Sequence, residues 1–203
     1  MIMQPVRWTL WGFPVEMGAG FFGMLCLCML WDRSGTLCPC VLAAALHELG
    51  HLYAMHRAGW DRCRVRLTAL GIRLQREGGA PVSYTSEIAV HLSGPAVNLL
   101  LGGVCLLLRG VWTYARPLML ANLGLGLFNL LPVCPLDGGQ ALAAALNWTL
   151  SPRRARLIAN GVTGLVLFPL AAAVFLGLFR QAYNGTLLAA VVYLVIFFVM
   201  NAR

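Results

Sequence analysis

The sequence contains no lysine, and charge of either sign is scarce: 15 arginines, seven acidic residues and four histidines in 203 residues. With 11% charged and 60% apolar residues and a mean hydropathy of +0.77, the chain lies outside the range of soluble globular domains. Long polar stretches are missing as well, so no separate soluble unit is left over and residues 1–203 read as one polytopic membrane domain. The first apolar run, WTLWGFPVEMGAGFFGMLCLCMLW, lacks a clear small-x-small cleavage site and is too long for the apolar core of a signal peptide. It is expected to be retained.

What the chain does have is a succession of apolar runs, each near the roughly 20 helical residues needed to cross a bilayer core of about 30 Å. Spans are expected at 10–31, 37–56, 87–108, 116–131, 158–179 and 185–201. The fold class expected is therefore an all-α membrane protein of about six transmembrane helices. Arginine placement orients it. With the N-terminus inside, the inner segments hold Arg7, Arg57, Arg62, Arg64, Arg66, Arg73, Arg76, Arg153, Arg154, Arg156 and Arg203, and the outer ones only Arg33, Arg109, Arg116 and Arg180. That asymmetry puts both termini in the cytoplasm. The net charge of +8 then follows from loops beside an anionic leaflet and calls for no nucleic-acid partner. Glu16, near the start of the first run, reads as a carboxylate at headgroup level.

Residues 62–75, RCRVRLTALGIRLQ, break the helical pattern. Arginine and apolar residues alternate with period two on either side of Ala69, Leu70 and Gly71, as in a short β-hairpin at the membrane surface. Such a hairpin is either a basic connector or a sheet edge whose unpaired backbone groups can take up an extended peptide.

The densest chemistry lies in His47-Glu48-Leu49-Gly50-His51, inside an apolar span. Residues four apart on an α-helix are offset by about 40° and rise about 6 Å, so the two histidines share one face, one turn apart. That spacing suits two imidazoles on one tetrahedral zinc ion. Glu48 stands beside the metal rather than on it, in the place of a general base acting on water. Charge inside a membrane helix is costly, about 2.5 to 3.5 kcal/mol for an aspartate on insertion scales, and a metal ion offsets that cost.

Zinc hydrolases of this kind use a third protein ligand and leave the fourth position open. Of the seven acids, Asp32, Asp61 and Glu77 fall in expected loops, and Glu16 and Glu87 at helix ends. Asp137 alone lies within a second apolar segment, FNLLPVCPLDGGQALAAAL. Pro132 and Pro135 prevent a regular helix there, and Gly138 and Gly139 let the backbone turn before a new helix begins. A broken helix at membrane depth is tolerated where it lines a cavity.

His47-Glu48-Leu49-Gly50-His51, Asn129-Leu130-Leu131-Pro132 and Leu136-Asp137-Gly138-Gly139, with Gly94-Pro95-Ala96-Val97-Asn98 between them, resemble the site-2 protease family of intramembrane zinc metalloproteases. The match covers about residues 35–150. The layout is most similar to the sporulation branch, typified by stage IV sporulation protein FB, but without a CBS or PDZ domain. The resemblance implies Zn2+ held by His47, His51 and Asp137, Glu48 as general base, and Asn129 as a second catalytic group beside the substrate or its developing oxyanion. It implies that Leu67, Thr68, Ala69, Leu70 and Gly71 of the hairpin hold substrate as an added strand. Asn98 is expected among the substrate-binding residues or as interhelical glue. The reaction implied is hydrolysis of a peptide bond in a membrane-embedded or membrane-associated protein, in a bacterial cytoplasmic or forespore-surrounding membrane, with regulatory membrane proteins as further partners.

His56 reads as a surface residue, His91 as an interfacial hydrogen-bonding one, and the seven cysteines as small apolar residues rather than a disulfide framework. A metal or proton transporter using the same His, Glu and Asp residues is the alternative. It would leave Glu48 idle, and the two halves of the chain show no inverted repeat.

Overall fold

The fold is that of a computed structural model, which describes residues 6–18, 26, 30, 32, 35–60, 63–68, 71–76, 82–179 and 185–201. Four strands, β1 (Val6–Leu10), β2 (Phe13–Met17), β3 (Cys63–Thr68) and β4 (Gly71–Arg76), form one sheet in the order β1-β2-β3-β4. Six helices are described: α1 (Leu37–Arg57), α2 (Tyr84–Leu108), α3 (Ala115–Asn129), α4 (Asp137–Thr149), α5 (Pro152–Phe179) and α6 (Gly185–Asn201).

The expected span at 10–31 is corrected at its start, because residues 6–17 form a hairpin. The reason lies in the sequence: V-R-W-T-L and F-P-V-E-M alternate around Trp11-Gly12. Trp11 (φ 50°) and Gly12 (φ 86°) both adopt left-handed backbone, the two-residue turn whose twist matches that of its flanking strands. Pro14 is tolerated because the pairing of β2 with β3 begins one residue later, at Val15↔Val65, so no ladder bond needs its missing N–H. Arg7 pairs with Glu16 across the hairpin, in register and with Nε–Oε1 at 3.1 Å. The rest of that expected span lies almost wholly outside the described residues.

β2 and β3 run parallel, whereas β3 and β4 form the expected hairpin, with Leu67 opposite Ile72 and Thr68 opposite Gly71. β3 is consequently an inner strand, and among the described residues the edge strands of the sheet are β1 and β4. Phe13 and Val15 are buried against Leu52, Met55 and Trp60 at the end of α1 and against Val90 of α2. The Trp60 indole N–H donates to Ser86 Oγ (2.9 Å), and Ser83 caps α2 by accepting from the Ser86 N–H (3.2 Å). The sheet therefore closes the end of the helix pair that carries the histidines.

Among the described residues, three helices are long and apolar enough to cross a membrane: Leu37–Arg57, Tyr84–Leu108 and, within α5, Pro152–Gly177; Leu187–Met200 is a shorter apolar helix. Six spans are thus not established among the described residues. α3 has 15 residues, about 22 Å at 1.5 Å per residue, and ends where the chain breaks its helix.

Between α3 and α4, residues 130–136 form an irregular segment. The Val133 N–H donates to Leu131 O (2.7 Å) and the Leu136 N–H to Val133 O (2.7 Å). Val133 is fully buried in a cluster with Leu167 of α5 and Leu194 of α6, and the Cys134 N–H donates to Thr163 Oγ1 (3.3 Å). α5 and α6 thereby anchor the segment that delivers Asp137.

Candidate metal centre

α1 and α2 meet at two glycines. A Cβ on Gly50 would lie 2.9 Å from Ser93 O and 3.2 Å from Gly94 Cα, so the helices touch backbone to backbone, as small residues allow in membranes. A Cβ on Gly94 would collide with the rings of both His47 and His51. The two imidazoles thus lie directly on the bare backbone of α2, with ring centroids 4.7 Å apart and ring planes at 84°.

Asp137 is the first residue of α4, after an extended Leu136. Gly138 and Gly139 do not adopt the left-handed conformations expected of turning glycines, since neither is among the positive-φ positions. What they supply is the missing Cβ: on Gly138 it would overlap Leu130 O, and on Gly139 it would lie 2.6 Å from Cys134 N. The Asp-Gly-Gly sequence lets the irregular segment fold back onto the start of α4 and fixes the carboxylate.

His47 Nε2 stands 3.0 Å from Asp137 Oδ2, His51 Nε2 3.4 Å from the same oxygen, and the two Nε2 atoms 3.2 Å from each other. Both histidines are buried, and Asp137 is half-buried. The Nδ1 of His51 lies 2.7 Å from Val90 O; a carbonyl only accepts, so this nitrogen carries the proton. The Nδ1 of His47 faces Asn98 Oδ1 at 2.5 Å, while Asn98 Nδ2 donates to Ala43 O (3.0 Å) and to Asn122 Oδ1 (2.9 Å). His47 also holds its proton on Nδ1.

Each neutral ring then turns a bare Nε2 lone pair toward the other and toward a carboxylate. Three electron-rich atoms converging in a buried site are favourable only around a cation. Ligands about 2.0 to 2.1 Å from a tetrahedral zinc are about 3.3 to 3.4 Å apart, close to the three separations observed. Two imidazoles and one carboxylate are moreover a donor set that zinc favours. His47, His51 and Asp137 are the one group of potential ligands within reach of one another among the described residues, and they fit Zn2+.

Glu48 is half-buried next to this group and close enough to interact electrostatically with His51, His47 and Asp137. Asn129, at the end of α3, gives an amide N–H to Leu125 O of its own helix (3.1 Å). Asn98, expected among the substrate-binding residues or as interhelical glue, is fully buried and hydrogen-bonded to α1 and α3. Leu67, as part of an inner strand, has backbone partners on both sides, Met17 and Ile72; Ala69 and Leu70 lie outside the described residues. An added strand could pair at β4, which begins at Gly71, but not at β3. Asn122 was missed in the sequence. Its signal is an amide in the middle of an apolar helix, four residues before Gly126, whose absent side chain admits the Asn98 Cβ.

The profile of peptidase family M50 matches residues 106–171. A zinc metalloprotease of Methanocaldococcus jannaschii is 31% identical over 118 residues, 52% of this chain and 32% of that protein. A Mycobacterium tuberculosis protein, Rip3, described as a candidate zinc metalloprotease, is 38% identical over 117 residues, 52% of this chain and 30% of its own. The chain thus spans about a third of the length of the curated relatives it matches. The solved structure of the site-2 protease from Methanocaldococcus jannaschii superposes with a TM-score of 0.67 at 22% identity, over 98% of this chain and 95% of that one. The fold is that of the site-2 protease from Methanocaldococcus jannaschii.

Proposed function

We propose that this chain is a zinc-dependent membrane metalloprotease of the site-2 type, which hydrolyses a peptide bond of a membrane-embedded or membrane-associated protein within or near the bilayer. The observation that carries this reading is the convergence of His47, His51 and Asp137, with Glu48 one residue from the first ligand. The family match and the named zinc metalloprotease relatives support it.

His47 and His51 through Nε2 and Asp137 through a carboxylate oxygen would hold the ion. When bound, zinc supplies Lewis acidity to the scissile carbonyl and the attacking water. The remaining chemistry belongs to side chains. Glu48 takes the proton of the water that adds to the carbonyl carbon and returns it to the nitrogen as the C–N bond breaks. Val90 O and Asn98 hold the imidazoles with their Nε2 lone pairs inward. The remaining N–H of Asn129 is the amide donor proposed for the developing oxyanion.

A helical peptide bond is shielded by its own hydrogen bonds, so the substrate must unwind before attack. The outer edge of β4 offers backbone groups to the unwound segment. The sheet supports the orientation read from the arginines: β1 pairs with β2, β2 pairs with β3, and Phe13 and Val15 pack on the end of α1, so Arg7 lies at the same end as Arg57, the arginine-rich end expected in the cytoplasm. The sporulation branch was suggested by a six-span layout whose first member now begins as strands, and this finer assignment rests on resemblance alone.

The test is co-expression of the chain, native and Glu48→Gln, with candidate single-span and membrane-bound pro-proteins. Cleavage by the native chain and none by the variant supports the reading. Cleavage of the same substrate at equal rates removes Glu48 from its role.

A further inference from the structure

A chain of amides runs from the backbone of α3 to Nδ1 of His47, the ring nitrogen opposite the one that faces Asp137 and His51. Asn122 Nδ2 donates to Leu118 O of its own helix (2.9 Å), which leaves its Oδ1 facing α2. Asn98 Nδ2 donates to that oxygen and, with its second hydrogen, to Ala43 O of α1. Both of these partners are acceptors, so the amide of Asn98 can sit only one way round, with Oδ1 on His47 Nδ1. Asn98 is 0% and Asn122 2% exposed, so water cannot substitute for a missing partner.

We propose that Asn122 is a positioning residue for the metal site, setting the His47 tautomer through the orientation of the Asn98 amide. The inference rests on the zinc reading above for its purpose, whereas the orientation of the Asn98 amide is read from its own hydrogen bonds. Without the Asn122 oxygen, one Asn98 N–H loses its acceptor and the amide is held only by Ala43 O. In the flipped orientation an N–H faces His47 Nδ1, the imidazole proton moves to Nε2, and the lone pair needed for ligation is gone. Groups behind metal-ligating histidines typically change metal affinity or activity about 10- to 100-fold when removed.

Full-length chain with 15N-labelled histidine, in detergent, freed of metal by chelator and held alkaline enough for its imidazoles to be neutral, reports the tautomer directly, with the His47 signal identified by comparison with His47→Gln. The native chain is expected to show His47 protonated on Nδ1 alone. Asn122→Leu is expected to show both tautomers and about 10- to 100-fold weaker zinc binding in chelator competition, with unchanged helix content. Asn122→Asp in its protonated form reproduces both hydrogen bonds and is expected to restore the native signal and affinity. A single Nδ1–H tautomer with native zinc affinity in Asn122→Leu overturns the proposal, and so does a mixed tautomer in the native chain. Should Asn122→Leu fail to fold, failure of Asn122→Asp to keep the Nδ1–H form overturns it in turn. A native chain that shows the expected tautomer yet takes up no zinc counts against the protease reading and leaves the amide relay standing.

Discussion

His47 Nε2 and Asp137 Oδ2 are 90 positions apart in sequence and 3.0 Å apart in space. Three structural devices produce that approach: the glycine contact between α1 and α2, the side-chain-free start of α4, and the anchoring of Val133 under α5 and α6. Each can be broken separately, and each break has its own signature.

Replacing Glu48 by Gln keeps the shape and removes the base. Turnover is expected to fall by about 10²- to 10⁴-fold while zinc content and helix content stay native. Cleavage of one substrate by both proteins, with bound metal quantified in parallel, is the check.

Asp137→Asn and His51→Gln each remove a ligand or its charge. Zinc affinity is expected to fall by more than 100-fold in chelator competition, beyond the range typical of groups behind the ligands. Removing metal from the native chain should abolish cleavage and restoring zinc should recover it; cleavage that survives full metal removal would refute the assignment.

Gly94→Ala puts a methyl group into both imidazole rings. Overpacking of this kind costs about 1 to 3 kcal/mol, and here the strain falls on the ligands, so zinc binding should weaken together with stability. Gly103→Ala on the same helix meets nothing within 4 Å and should leave both unchanged. Thermal unfolding and zinc titration of the two variants side by side decide it.

Phe13→Ala empties a position that is 4% exposed between the N-terminal hairpin and α1. A loss of about 3 to 5 kcal/mol, read as a lowered unfolding midpoint in detergent, is expected of a sheet that packs on the catalytic helices. An unchanged midpoint would mean that the hairpin does not pack there.

The ligand set was legible in the sequence because acids are so few that Asp137 had almost no competitor inside an apolar segment. The hairpin at 63–76 was legible because alternating arginines mark period two plainly. The N-terminal hairpin has the same alternation, but its polar positions are Arg7, Thr9 and Glu16 among aromatics and Pro14, and high hydropathy masked the period. The glycines next to Asp137 were correctly singled out for the wrong physical reason: close approach of backbone, rather than freedom of φ, requires them. The pairing of Asn98 with Asn122 depends on how α2 and α3 pack, which no local pattern encodes.

The most direct measurement of the central claim is zinc K-edge X-ray absorption on the purified full-length chain. One ion with nitrogen and oxygen donors at about 2.0 to 2.1 Å, including the outer-shell scattering of two imidazoles, is the predicted result. A sulfur shell at about 2.3 Å, or a site with no imidazole signature, would contradict the assignment of His47, His51 and Asp137.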